Sequence, residues 1–199
     1  MYKKEIKKYQ ELNKLAESNG VVILGGTEDK EIPLCELKQA FDLDSKLYNR
    51  SITELSIDNA FEIYDTCISP INPECILLHI GIADLKSFEE NPSDFDQKYL
   101  KLIQQIKVSN SICNIVIISL RNCDGSKSID ALNKHLRYIA DSEQCEYMDI
   151  STKWVWNPNQ TKDVLSFLHS TGFVLPLKKK RLTYDLVKIL YCYEPACIA

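Results

Sequence analysis

A hydroxyl side chain, Thr27, follows an uninterrupted apolar run and two glycines in the stretch Val21-Val22-Ile23-Leu24-Gly25-Gly26-Thr27. A threonine hydroxyl donates and accepts hydrogen bonds, and it becomes a nucleophile when a base activates it. An apolar run closed by glycine indicates a strand buried on both faces of a parallel sheet. The two glycines permit a sharp turn at the carboxyl end of that strand, where α/β proteins bind their ligands. We therefore expect Thr27 to lie at the edge of a binding crevice.

Three further stretches place polar groups at comparable points of the chain. Two of them follow predicted strands and one precedes the predicted last helix; they are Asn49-Arg50-Ser51-Ile52, Gly81-Ile82-Ala83-Asp84 and Ser166-Phe167-Leu168-His169. Parallel strands end at one edge of a sheet, so residues that follow them meet there. These stretches are the candidates for a site around Thr27.

The elements that must position these stretches alternate along the chain. Apolar runs predict strands at Val21–Gly25, Leu47–Ile52, Cys75–Gly81, Ile115–Leu120 and Glu146–Ile150. Apolar residues at helical spacing, or a proline at a first helical turn, predict helices at Lys3–Ser18, Leu34–Phe41, Asp58–Ile68, Ser93–Lys107, Ser128–Ala140 and Val174–Tyr191. Such alternation indicates α/β architecture: a parallel sheet of about five strands with helices on both faces. We expect a single domain over residues 1–199, with the first strand central or next to the centre.

In order and spacing, the four stretches resemble the conserved blocks of the SGNH (GDSL-like) hydrolase family over nearly the whole chain. That family has a three-layer α/β/α, flavodoxin-like fold and comprises esterases, lipases, acyltransferases and carbohydrate deacetylases. Its blocks read Gly-Asp-Ser, an Asn-x-Gly-like turn, Gly-x-Asn-Asp and Asp-x-x-His. The resemblance implies the same fold here, with the crevice at Gly25, Gly26, Gly81 and Asp84.

The resemblance also implies that much of the family chemistry is lost, since no block is intact. Thr27 stands at the position of the serine nucleophile, and His169 at that of the general base. Ser51 replaces the glycine whose N–H serves the oxyanion hole, and Ala83 replaces the asparagine whose amide completes it. Ser166 replaces the aspartate that orients the histidine.

These substitutions predict a catalytically impaired protein. Loss of one oxyanion-hole donor typically costs on the order of 10²–10³ in rate, and loss of the triad carboxylate about 10⁴ in a serine protease. We therefore expect a non-catalytic domain that binds a small acylated or carbohydrate ligand, or a protein partner. An active ester hydrolase that uses Thr27 and His169 is the alternative, and a purely structural subunit is a weaker third.

Several assignments stay open at this stage. Asp163, Glu28 or Asp29 could replace the missing acid, although a solvated surface acid is the commoner role. His169 could instead be an ordinary loop histidine that caps the last helix. Either Trp154 or Trp156 could line the crevice, or both could pack under the loop, since side chains at i and i+2 of an extended stretch point to opposite sides.

Three residues outside the presumed chemistry receive structural roles. Asp84 ends a buried strand, and we expect its carboxylate to bond backbone N–H groups of the next turn. His79 lies inside a strand and is predicted to be a hydrogen-bonded core residue. His135 lies on a helix and is predicted to be at the surface.

Composition excludes several classes of function. The formal net charge of −4 offers no footprint for nucleic acid, and no apolar run approaches the roughly 18 residues of a membrane span. No nucleotide-binding glycine motif is present, and the eight cysteines lack metal-ligand spacing, so we expect no cofactor and no metal. The amino-terminal residues lack the apolar segment of a signal peptide, which predicts a cytoplasmic protein with reduced, buried cysteines.

Overall fold

The computed structural model describes residues 2–40, 42–122, 124–151 and 186–191. Five parallel strands form one sheet in this part of the chain. They are β1 Val21–Gly25, β2 Leu47–Asn49, β3 Cys75–His79, β4 Asn114–Ile118 and β5 Glu146–Met148. Their order is β2-β1-β3-β4-β5, so β1 lies next to the central strand. The predicted parallel sheet, its size and the place of its first strand are confirmed.

Helices lie between these strands, before the first of them and after the last. They are α1 Lys3–Asn13, α2 Thr27–Lys30, α3 Leu34–Ala40, α4 Ile57–Ile63, α5 Leu85–Glu90, α6 Pro92–Ser109, α7 Lys127–Ser142 and α8 at 186–191. A π-helical turn, Tyr64–Ile68, continues α4, and short 3₁₀ turns cover Ser69–Ile71 and Ile82–Asp84. The helix predicted at Asp58–Ile68 is thus present but changes its winding half-way.

Two helices were missed by the sequence pattern and one is shorter than expected. The missed elements, α2 and α5, have only four and six residues, too few for a helical period to show. Helix α1 ends at Asn13 and not at Ser18, and Leu15 beyond it is 84% exposed. In the predicted last turn only Ala16 packs against the core, which is too little apolar burial to extend the helix.

Successive residues of each strand point to opposite faces of the sheet, and each face carries its own core. Val22 and Leu24 belong to a core with apolar residues of α1, α4, α6 and α7. Val21 and Ile23 belong to a second core with Leu37 of α3 and the apolar residues of α8. Helices therefore cover both faces, which confirms the three-layer α/β/α architecture.

The described cysteines are free thiols in different surroundings. Cys67 and Cys75 are buried, Cys113 and Cys145 are half-buried, and Cys35 is exposed. The prediction of buried cysteines therefore fails at Cys35, which lies in α3. Among the described residues, no helix combines the length and the apolar character that crossing a membrane requires.

Candidate functional site

Three of the four stretches singled out in the sequence meet at the carboxyl edge of the sheet. Gly25, the last residue of β1, pairs with His79, the last residue of β3, so the turns that follow lie side by side, as predicted. A Cβ atom on Gly26 would lie 3.8 Å from Ile82 Cγ2, which brings the turn after β1 to the turn after β3. The loop after β2 reaches the same place through Glu54.

Thr27 is the first residue of α2, and it is exposed. The Gly26 backbone before it is extended, with φ −91° and ψ −150°, and turns the chain from the strand into the helix. Thr27 Oγ1 accepts a hydrogen bond from the backbone N–H of Glu54 at 3.2 Å. The threonine hydroxyl therefore lies at the edge of the sheet, as expected, but one of its lone pairs is already engaged.

Glu54 is the site residue that sequence reasoning missed. Its φ of +54° lies in the left-handed region, which favours glycine and which a glutamate adopts only at a cost. Nothing in the residue type announces this conformation. The only signal was its position in the loop that follows β2.

Ser51, which the sequence placed at the second-block position, is fully buried and its polar groups are bonded elsewhere. Its N–H donates to Asn49 Oδ1 at 2.9 Å, its Oγ accepts from the Gly25 N–H at 3.0 Å, and its carbonyl accepts from the Tyr9 hydroxyl at 2.5 Å. Ser51 thus fixes the loop after β2 to the end of β1. The backbone N–H that faces Thr27 belongs to Glu54.

The turn after β3 presents apolar side chains next to Gly26, the residue before Thr27. Gly81 has a φ of +139°, which favours glycine, and a Cβ atom there would lie 3.2 Å from Leu132 Cδ2, so that side chain would have to shift slightly. Ile82 and Ala83 follow and are exposed, Ile82 to 47%. The residue at the family's asparagine position therefore contributes a methyl group and no hydrogen-bond donor.

Asp84 closes this turn and is 5% exposed. Both of its carboxylate oxygens accept from the N–H of Ile57, at 3.0 and 3.2 Å. The prediction of a carboxylate bonded to backbone N–H is confirmed, but the donor is the first residue of α4 and not the turn that follows Asp84. A carboxylate at this point also interacts favourably with the positive end of the helix dipole.

We expect the free energy of unfolding of Asp84→Ala to be about 1–3 kcal/mol lower than that of Asp84→Asn. Alanine leaves the buried Ile57 N–H without an acceptor, whereas the asparagine amide oxygen takes the place of the carboxylate oxygen. Urea denaturation of the two variants measures the difference. Equal midpoints would show that Ile57 N–H does not depend on residue 84.

The stability that Asp84 contributes should fall as the pH rises. Burial raises the pKa of Asp84 from 3.8 to about 6, although the bond from Ile57 N–H works in the opposite direction. The folded protein therefore binds a proton here more readily than the unfolded chain, and this stability is present below pH 3.8 and lost as the pH rises through about 6. Asp84→Asn does not titrate, so it should gain about 1–2 kcal/mol relative to wild type between about pH 4 and about pH 7. A constant difference across this range would contradict the assignment.

Asp29 is not the solvated acid that the sequence favours, since it is 1% exposed. Its carboxylate accepts from the Gly26 N–H, His79 Nδ1 and the Tyr191 hydroxyl. Burial by itself lowers the pKa of His79, but the adjacent carboxylate outweighs burial and leaves that pKa above its ordinary value. His79 is thus the hydrogen-bonded core residue that was predicted, while Glu28 is exposed.

His135 is partly exposed, in agreement with its predicted surface position, and its Nδ1 lies 2.8 Å from an oxygen of Asp96. Within the described ranges, no group of three or more His, Cys, Asp or Glu side chains is arranged to hold a metal ion.

The other predicted site residues lie outside the described residues. They are His169, Ser166, Asp163, Trp154 and Trp156, together with most of the helix predicted at Val174–Tyr191. Their assignments as base, orienting position, alternative acid and cleft aromatics stay predictions.

Comparison with solved structures identifies the architecture. A Streptococcus pneumonia protein assigned as a platelet activating factor superposes with a TM-score of 0.66 at 16% identity, over 77% of each chain. A Bacteroides fragilis protein assigned as an acylhydrolase gives 0.63 at 14% over 92% of each chain. A GDSL-like lipase from Bacteroides thetaiotaomicron gives 0.62 at 13%, over 77% of this chain and 82% of the lipase. The fold is that of the SGNH hydrolases.

At these identities the similarity establishes the SGNH fold and leaves the chemistry to the residues themselves. No protein-family model and no curated protein matches the sequence. The low identity agrees with a divergent sequence, in which Gly25, Gly81 and Asp84 match the block pattern of the SGNH family and the neighbouring residues of those blocks do not.

Proposed function

We propose that this SGNH-fold protein is catalytically impaired and uses its cleft to bind a small acylated or carbohydrate ligand without turning it over. The observation that carries this proposal is the hydrogen bond from the Glu54 N–H to Thr27 Oγ1. This bond engages both the hydroxyl at the nucleophile position and a backbone N–H that could otherwise bind an oxyanion. Three features of the cleft support the proposal.

The first feature is the hydroxyl itself. A hydrogen bond that an oxygen accepts withdraws electron density from the lone pairs that must attack a carbonyl. The extra methyl group of threonine also restricts the rotamers that the hydroxyl can adopt. Thr27 is therefore a weaker nucleophile than a serine whose hydroxyl is bonded only to a base.

The second feature is the incomplete set of donors for an oxyanion. A tetrahedral intermediate on Thr27 would need preorganised N–H groups within about 3 Å of its oxygen. The Ser51 N–H is bonded to Asn49, and Ala83 has no donor in its side chain. We assign the second-block donor position to Glu54, whose N–H must leave Thr27 before it can serve an intermediate.

The third feature is the apolar surface that Ile82 and Ala83 form at the entrance of the proposed cleft, here called the mouth, which suits binding of an acyl group. Ile82 and Ala83 are exposed apolar residues of the turn after β3, and Ile82 lies next to Gly26, the residue before Thr27. Pockets for small molecules combine apolar walls with a few fixed polar groups, and an acetylated sugar presents methyl and hydroxyl groups together. A protein partner that inserts an apolar side chain is the second occupant that this mouth suits.

An active ester hydrolase with Thr27 as nucleophile and His169 as base is the competing function. The exposed position of Thr27 at the carboxyl edge favours it, as do the esterases among proteins of the same fold. The two proposals differ in whether a bound acyl ester is cleaved.

The test follows the backbone amide resonances of Thr27 and Ala83 while an acetylated monosaccharide is added to the wild-type protein. We expect saturable shifts of these amides with no release of acetate above the buffer rate. Ala83→Trp, which fills the mouth, is expected to abolish the shifts, whereas Tyr138→Trp on the exposed surface of α7 is the matched control. Release of acetate would establish the hydrolase, and unchanged amides would exclude an acetylated sugar as the ligand.

A further inference from the structure

A carboxylate buried behind the Thr27 turn joins three separate segments of the chain. Asp29 accepts from the Gly26 N–H at 2.8 Å, from His79 Nδ1 at 2.9 Å and from the Tyr191 hydroxyl at 2.7 Å. The donors belong to the turn after β1, to the end of β3 and to α8. We call Asp29, His79 and Tyr191 the Asp29 network.

The network is nearly inaccessible to water. The side chains are 1%, 5% and 3% exposed for Asp29, His79 and Tyr191 respectively. A buried carboxylate is costly unless donors surround it, and hydrogen bonds to a charged acceptor are about twice as strong as neutral ones. Loss of any one donor therefore destabilises the buried carboxylate and, with it, its hydrogen bonds to the other two donors.

Tyr191 is held so that its hydroxyl reaches this carboxylate. Its ring packs edge-on against the His79 imidazole, with the centroids 5.2 Å apart, and its carbonyl accepts from Arg121 Nη2 at 2.6 Å. Burial, together with the Asp29 carboxylate, raises the pKa of Tyr191 well above its ordinary value. The hydroxyl thus remains a hydrogen-bond donor throughout the ordinary pH range.

At its other end, the Asp29 network is joined to the Thr27 turn by direct hydrogen bonds. Asp29 lies two residues after Thr27 in α2, and its carboxylate holds the N–H of Gly26, the residue just before Thr27. The backbone carbonyl of Asp29 is held in turn by Asn49 Nδ2 at 2.6 Å. Any shift of the carboxylate therefore moves Gly26 and Asp29, which lie on either side of Thr27 along the chain.

We propose that the Asp29 network is a positioning device through which α8 sets the place of Gly26 and Thr27. Helix α8 is thereby an integral part of the cleft, even though it packs on the face of the sheet that carries α3. The coupling goes beyond the proposed function, because it holds whether Thr27 binds a ligand passively or attacks one.

Amide hydrogen exchange of Tyr191→Phe tests the coupling, because phenylalanine keeps the ring and removes only the donor. We expect the Gly26 amide, which donates to the Asp29 carboxylate, to exchange at least about fivefold faster, relative to Val116 in β4. About fivefold is the factor that one lost hydrogen bond corresponds to. Tyr147→Phe is the matched control, since its hydroxyl bonds the Asn133 carbonyl at 3.2 Å and lies outside the network. An equal acceleration of Gly26 and Val116, or none, would overturn the proposal.

A measurement on the wild-type protein decides the question if Tyr191→Phe does not fold. Exchange in increasing denaturant groups the amides that open together. The Gly26 amide and the amides of Leu190 and Tyr191 should share one opening free energy and one denaturant dependence. Opening of α8 that leaves Gly26 protected would refute the coupling, and neither readout depends on ligand binding or on catalysis.

Discussion

The combined variant Thr27→Ser, Ala83→Asn, Ser166→Asp should react with a fluorophosphonate probe, whereas Thr27→Ser alone should react little faster than wild type. Serine restores an unhindered hydroxyl, asparagine supplies the missing oxyanion donor, and aspartate supplies the acid that orients His169. These groups act as a unit, so single repairs show little of the effect. The restored amide alone should be worth on the order of 10²–10³ in labelling rate.

The double variant Thr27→Ser, Ser166→Asp is the matched control, because it differs from the combined variant only at residue 83. Labelling that is equally fast in both would mean that Ala83 does not stand at the oxyanion position. When Glu54→Gly is added to the combined variant, the loop after β2 should keep its backbone conformation, since glycine adopts the φ of +54° without strain. The probe reports an activated hydroxyl whatever acyl group the natural ligand carries.

Gly25→Ala should destabilise the protein by about 3 kcal/mol or more, whereas the neighbouring change Gly26→Ala should cost less than about 1 kcal/mol. A Cβ atom on Gly25 would collide with the carboxylate of Asp29, and even the farther oxygen, Oδ1, would lie only 2.9 Å away. The carboxylate cannot retreat without breaking the bonds to His79 and Tyr191, so overpacking and lost hydrogen bonds add.

The same addition on Gly26 meets only Ile82 Cγ2, at an ordinary contact distance of 3.8 Å. The extended backbone of Gly26 also suits alanine. Thermal or urea denaturation of the two variants measures the contrast, which tests the location of the Asp29 carboxylate. Equal stability of the two variants would contradict it.

The sheet and its edge were predictable from sequence because β1 is an uninterrupted apolar run, β3 is apolar except for His79, and both end near glycine. Burial on both faces leaves such a strand few polar positions, so the pattern has few alternative interpretations. Short elements escaped the same reasoning. Helix α5 buries only Phe88 fully, and two apolar residues in six do not define a period.

The interior of the site was not predictable, because it depends on contacts between distant residues. Asp29 looks like a solvated acid until His79, 50 positions away, and Tyr191, 162 positions away, are brought to it. Glu54 was hidden for a different reason, since a left-handed backbone is signalled by glycine and here a glutamate adopts it. The sequence therefore predicted that the turns after β1 and β3 lie side by side. It did not predict that the Ser51 N–H donates to Asn49 Oδ1, which leaves it unable to serve as an oxyanion donor.

Mass spectrometry of the intact wild-type protein after prolonged exposure to a fluorophosphonate is the most direct test of impaired catalysis. The Thr27 hydroxyl is bonded to the Glu54 N–H and lacks a complete oxyanion hole, so we predict that the mass stays unchanged. The experiment requires no choice of ester substrate. A serine hydrolase treated in parallel shows that the probe is active. A stoichiometric adduct that maps to Thr27 and disappears in His169→Ala would contradict the account and make this protein a hydrolase with a threonine nucleophile.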